Sequence, residues 1–284
     1  MKPFPLPVVT FGPGSQQEDE NLEYMDMPKD MHTFSMPGLR DDVDPALRDE
    51  ALDLARNLLD RMRATGFGVS DYPSIDLSST DMRVRAAIND LLGEGEVAAY
   101  SRGAVDCRVQ ETAFAGVWRV LQLATDGGIA RDTVEACAIP RLIVEGARRS
   151  ASTEVSAEPP PPGAMNAPAV LAEVLDAACS HRSGDEARII NLTLLPMTPD
   201  DLDYLAKSLG AGSTVILSRG YGNCRISSTG VTNVWWVQYF NSMDHMILNT
   251  LEIVDVPEVA LAAKEDYTDS VERLEERIAV SADI

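Results

Sequence analysis

The residues best equipped for chemistry crowd into one short stretch: Ser218, Arg219, Gly220, Tyr221, Gly222, Asn223, Cys224 and Arg225. Arginine offers a forked, permanently charged donor that suits carboxylates and other anions. The glycines and the asparagine permit positive φ and let a second backbone approach closely. Two readings fit: a recognition loop, or a hairpin turn whose glycines serve geometry alone. The spacing is not that of a dinucleotide fingerprint, and the stretch joins strand to strand rather than strand to helix. Phosphate binding therefore has little support.

The same pattern stands 117 residues earlier as Ser101, Arg102, Gly103, Cys107 and Arg108. Thiolates suit iron, zinc and copper, so Cys107 and Cys224 form a metal or cluster-carrying pair if the fold brings them together. Against this, each repeat supplies one thiol, no second ligand stands at a recognisable spacing, and buried cysteine is a common small hydrophobe. Cys137 and Cys179 read as core residues. His32, His181 and His245 are far apart, with no HxH or HExxH spacing, and no G-x-S-x-G elbow is present. The chain reads as a protein without catalytic machinery and without a cofactor. Asn191 and Thr193 fit a glycosylation pattern, which means little inside a cell of bacterial type. Trp235 and Trp236 begin the densest aromatic patch, with Tyr239 and Phe240 following. On a strand the two indoles point to opposite faces, so one packs inward while Trp236, which has Arg119 as its counterpart, either contacts a partner or completes the core. The candidate partner-binding residues are thus Arg102, Gly103, Arg108, Arg219, Gly220, Tyr221, Gly222, Asn223, Arg225, Trp236 and Tyr239.

The elements that carry these residues are duplicated. Residues 91–140 align without a gap on 208–257, with 15 identities in 50 positions, where average usage gives about three by chance. Two copies of one supersecondary unit account for this. In the first, Asp44 and Pro45 open a helix whose face is Leu47, Ala51, Leu54, Leu58 and Met62, with Gly66 as its stop. In the second, Val170, Leu171, Val174, Leu175 and Cys179 make the matching face. Val84, Ile88, Leu91 and Leu92 form the next stripe, ended by Gly93; its counterpart starts at Thr198 and Pro199, carries Leu202, Leu205 and Leu209, and stops at Gly210. Strand-like patterns follow at 96–101, 107–114, 116–123 and 132–138, and again at 213–218, 224–230, 233–240 and 248–254. The fold class is therefore α+β: two tandem α-β-α-β-β-β-β-α units with mainly antiparallel sheets, helices on one face, and a pseudo-twofold relation. Residues 44–149 make the first unit and 168–284 the second, joined by a Pro-rich linker at 150–167. Residues 1–43 form an irregular arm in which Met25, Met27, Met31 and Met36 are either a soft binding strip or packing for the body. Val271, Leu274 and Ile278 mark a final amphipathic helix.

Composition excludes several classes. The 284 residues are 45% hydrophobic and carry a formal charge of −21. That field repels nucleic acid and anionic membranes, and suits a basic partner patch or simple solubility. No stretch approaches the roughly 20 apolar residues that cross a bilayer. The Pro-broken start lacks the pattern of a signal peptide, and the four scattered cysteines read as reduced thiols. The expected place is the cytoplasm.

Several segments together resemble the HupH/HyaF family: residues 91–97 (LLGEGEV), 116–120 (GVWRV), 191–196 (NLTLLP), Gly220 to Gly222, and 256–263 (VPEVALAA) with Glu265, Asp266, Asp269 and Ser270 behind it. The likeness runs from about residue 70 to the C-terminus and includes Gly12, Pro13 and Gly14 of the arm. It implies an accessory protein for maturation of [NiFe] uptake hydrogenases, which binds the iron–sulfur small-subunit precursor before export. Thioredoxin-like and rubredoxin-like accessory proteins are the further partners it implies. It transfers no catalytic residue set, and its motifs do not require Cys107 or Cys224.

Overall fold

The computed structural model describes residues 44–103, 105–152, 159–219 and 223–282. The arm, and with it Met25, Met27, Met31, Met36 and His32, lies outside them. Helix α1 (Pro45–Thr65) starts where Asp44 accepts the Ala46 N–H at 3.0 Å, and ends at Gly66 with φ 75°. Then come β1 (Ser74–Asp76), α2 (Met82–Leu92), β2 (Val97–Ser101), β3 (Asp106–Glu111), β4 (Val117–Leu123), β5 (Ile129–Ala136) and α3 (Arg141–Arg149). The second half repeats the order as α4 (Ala167–Ser180), β6 (Arg188–Asn191), α5 (Pro199–Leu209), β7 (Ala211–Ser218), β8 (Asn223–Thr229), β9 (Val234–Phe240), β10 (Met246–Ile253) and α6 (Lys264–Ala282). Thr198 caps α5 in a full capping box with Asp201, whose carboxylate also accepts the Asn166 and Ala167 N–H groups. These backbone donors hold Asp201 well below the usual carboxylate range against the opposing effect of burial.

The strands form one ten-stranded antiparallel sheet in the order β1-β5-β4-β3-β2-β7-β8-β9-β10-β6. The two halves do not keep separate sheets: β2 pairs with β7 at a central seam, running from Val97–Ser218 to Ser101–Thr214. Under the 117-residue correspondence the order reads the same from either end. Ala99 faces Ile216, its own counterpart, so the halves exchange about this pair. Local bonds repeat across them. The Trp118 indole donates to Cys137 O at 2.8 Å and the Trp235 indole to Val254 O at 3.2 Å. Arg102 N–H donates to Ser213 O at 2.9 Å, and Arg219 N–H to Glu96 O at 3.1 Å. Gly116, at φ 77°, has Asn233, at φ 60°, as its counterpart, a turn position where asparagine tolerates the left-handed region.

Because side chains alternate along a strand, the registers assign every residue to a face. One face carries Ile75, Val117, Val134 and Ala136 at one end, buried under α1, α2 and α6. At its other end Ile190, Val234, Leu251 and Ile253 are buried under α4 and α5. The opposite face is covered at the seam by α3, where Ile143 and Ala147 pack among Ala99, Cys107, Ile216 and Cys224. Helices thus lie on both faces, not on one. The reason is chemical: Ala99, Val109, Ile216 and Ile226 alternate away from the other helices and need their own cover. Gly146 makes the approach possible. A Cβ there would fall 2.0 Å from Ser101 Oγ, and Ser101 Oγ lies 2.8 Å from Thr214 Oγ1 across the seam.

Only one helix fits over that seam. Where α3 follows Pro140, the counterpart Pro257 opens a single 3-10 turn, Glu258–Ala260. The final helix, placed by sequence in residues 168–284, crosses to the first half and packs on α1 and α2 through Tyr267, Leu274 and Ile278. Cys179 is exposed rather than in the core: the buried residues of α4 are Ala167, Val170, Leu171 and Val174, and its last turn contributes none. Among the described residues no helix is long and apolar enough to cross a membrane.

Candidate partner-binding face

Between the two helical clusters no helix among the described residues covers the middle of the first face. Two rows of side chains cross it. Leu121, Arg108, Tyr100, Val215, Ser227 and Trp236 form one; Arg119, Gln110, Ala98, Leu217, Arg225 and Gln238 form the other. The members of these rows from β2, β3, β4 and β7 line a trough of about 680 Å³, and Arg225, Ser227, Trp236 and Gln238 continue the same face beyond it. Leu217 is 45% exposed there, and Arg108 and Arg225 are exposed. The Arg102 guanidinium lies over the Tyr100 ring, 5.3 Å from its centre, and its Nε donates to the Tyr100 hydroxyl. Arg119 is engaged instead with the buried Asp132, which Arg85 also approaches at 3.5 Å. Arg108, Arg219 and Arg225 make no ion pair among the described residues.

The fold gathers some of the residues picked out by sequence and separates others. Arg102, Arg108, Arg225 and Trp236 share the bare face. Trp236 is half-buried at its edge, donating to Asn249 Oδ1. Trp235 points the other way and is buried. The turns do not converge: the antiparallel seam sets Arg102 and Gly103 at one end and Arg219 at the other. Gly103 N–H donates to Asp106 Oδ1 at 3.0 Å, and Asn223 opens β8 opposite Phe240. Gly220, Tyr221 and Gly222 lie outside the described residues. Tyr239 lies on the α3 face beside Cys224, its hydroxyl pushed up to about 12 by burial first and then by that thiol. Tyr100, Leu217, Val215, Ala98 and Leu121 were not singled out by sequence. Alternation alone marks them only as outward residues of half-buried strands.

Cys107 and Cys224 also fail to meet. Both are buried beneath α3, but three strand spacings and four residues of rise separate them, roughly 20 Å. Burial pushes each thiol up to about 11, so both keep their protons near neutrality. Among the described residues no group of three or more His, Cys, Asp or Glu is placed to hold a metal ion.

Residues 51–152 and 164–281 match the family described as HupH hydrogenase expression protein, C-terminal conserved region. The chain belongs to this family. The two matched stretches of the HupH family fall on the two halves of the sheet. The chain is 45% identical over 277 residues to the hydrogenase expression/formation protein HoxQ of Cupriavidus necator, covering 97% of each. It is 43% identical to the hydrogenase expression/formation protein HupH of Rhodobacter capsulatus over 96% of each chain. The hydrogenase-1 operon protein HyaF of Escherichia coli is 30% identical over 93% of each. A solved structure, the hydrogenase expression protein HupH from Thiobacillus denitrificans, is 28% identical, with a TM-score of 0.38, covering 40% of this chain and 95% of that one.

Proposed function

We propose that this HupH-family chain serves hydrogenase maturation as a docking protein, holding the immature iron–sulfur small subunit without bond chemistry of its own. Its two units stand about a pseudo-twofold axis through Ala99 and Ile216, and the partner seats on the sheet face between their helices. One observation carries the reading. Among the described residues, no helix covers the centre of this face, where Leu217, Arg108 and Arg225 are exposed beside a half-buried Tyr100, in a chain of net charge −21. Exposed aromatic and arginine side chains in a concave setting are the groups that dominate protein interfaces. The relatives' names, hydrogenase expression/formation proteins, supply the class of partner. Thioredoxin-like and rubredoxin-like accessory proteins would then meet the same complex.

The test is co-purification with the small-subunit precursor from cells expressing both at ordinary levels. Wild type retains the precursor, and Leu217→Asp, which places a charge on the bare face, loses it together with hydrogenase activity. Undiminished precursor on Leu217→Asp, or none on wild type, defeats the reading.

A further inference from the structure

The chemistry of what docks can be taken further, on the footing of the docking reading above. We propose that the trough receives an extended acidic stretch of the partner polypeptide. Its aliphatic side chains lie along Ala98, Tyr100, Val215 and Leu217, and its carboxylates meet Arg108 and Arg225. The floor is sheet whose backbone groups are already paired within it, so recognition falls to side chains and not to strand addition.

Charge selects the occupant. The surface as a whole is anionic, with 45 Asp and Glu against 24 Lys and Arg, yet this face carries arginines that no described carboxylate neutralises. Among the described residues Glu94 is the only acid lining the trough. Arginine's planar fork matches a carboxylate in two parallel hydrogen bonds. Spacing selects further. Arg108 and Arg225 are three strand spacings and two residues of rise apart, roughly 16 Å between their strand positions. An extended segment covers that span in about five residues. The fitting sequence therefore has carboxylates four to five residues apart with aliphatic residues between them. A nucleic acid offers anions at both places but no aliphatic groups for Leu217 and Val215, and its many phosphates meet the repulsion of the whole chain.

The experiment uses the full chain carrying p-benzoylphenylalanine in place of Leu217, irradiated in cells that express the hydrogenase, with the crosslinked peptide identified by mass spectrometry. The expected peptide comes from a hydrogenase subunit and has two carboxylates at that spacing. Its yield falls about tenfold when Arg108→Glu and Arg225→Glu are added, as loss of paired charges at a contact demands. The urea midpoint of this variant, matching the parent, shows that folding is not the cause; if the midpoint drops, Arg108→Gln with Arg225→Gln replaces it and the same fall is expected. A neutral or basic hydrogenase peptide, or a yield indifferent to the arginines, overturns the acidic-segment proposal and leaves docking standing. Crosslinks only to nucleic acid, to a second copy of this chain, or to nothing overturn both.

Discussion

Glu111 offers the sharpest physical test, because replacing one atom should change how stability depends on pH. Its side chain lies on the α3 face, 8% exposed, and accepts the Gly116 N–H at 3.2 Å. Burial pushes its pKa up from 4.5 to about 7; the Gly116 bond opposes this, and the Glu96 and Asp266 carboxylates add to it. An acid whose folded pKa exceeds its unfolded one contributes fully below the unfolded value and loses that contribution as pH rises through the folded value. The window thus opens near pH 4.5 and closes about one unit above pH 7. At 1.36 kcal/mol per unit, the rise amounts to about 3 kcal/mol lost across it. Glu111→Gln keeps an oxygen for Gly116 and never ionises. Urea unfolding at pH 5, 6, 7 and 8 should find the variant close to wild type at pH 5. By pH 8 it should be more stable by about 2–3 kcal/mol. The other titrating groups are common to both proteins and cancel in the difference. A gap that stays constant, or narrows as pH rises, refutes the assignment.

Two further substitutions probe the seam and the duplication. Gly146→Ala drives a methyl group into Ser101 Oγ beneath α3, and should cost about 2 kcal/mol or more in urea unfolding by lifting the helix from β2 and β7. Trp118→Phe and Trp235→Phe each remove one indole bond to a backbone carbonyl, buried at Cys137 and half-buried at Val254; each should cost about 2–3 kcal/mol, with thermal midpoints falling by similar amounts.

The helices were legible because their signals are local. Asp44 with Pro45, Thr198 with Pro199, and the left-handed Gly66, Gly93 and Gly210 fix starts and stops within a few residues of themselves. Antiparallel pairing of β2 through β5, and of β7 through β10, followed from short turns for the same reason, whereas β1 beside β5 and β6 beside β10 are contacts across about 60 residues that no turn signals. The seam was not legible, since pairing Ala99 with Ile216 is a contact across 117 residues that no alternation pattern encodes. Merging the sheets had consequences invisible in one unit alone. The seam gained a second apolar face that needs α3, and α6 was left to pack on the first half. The site suffered most from this. Arg102 and Arg219 are equivalent in sequence, so it is natural to imagine them together, but equivalence about an antiparallel pair puts them at opposite ends. The same operation brings Tyr100 close to Val215 and Ala98 close to Leu217, residues too ordinary to single out without the register.

Duplication gave the sheet its symmetry, and substitution then removed it from the bare face. Arg119 and Asp132 make a buried ionic contact across β4 and β5; at the corresponding places on β9 and β10, Trp236 donates to Asn249. The diagonal geometry is kept while the chemistry changes from charge to aromatic. An ion pair with Asp132 2% exposed holds its shape only while both partners remain, whereas an indole–amide bond carries no charge to desolvate. A surface with two like ends would accept a bound segment equally well in either direction. Here a reversed segment would set the groups meant for Arg119 against Trp236, and groups meant for Leu121 against Gln238. Discrimination between the two orientations is therefore a difference in contact free energy built on an otherwise symmetric floor.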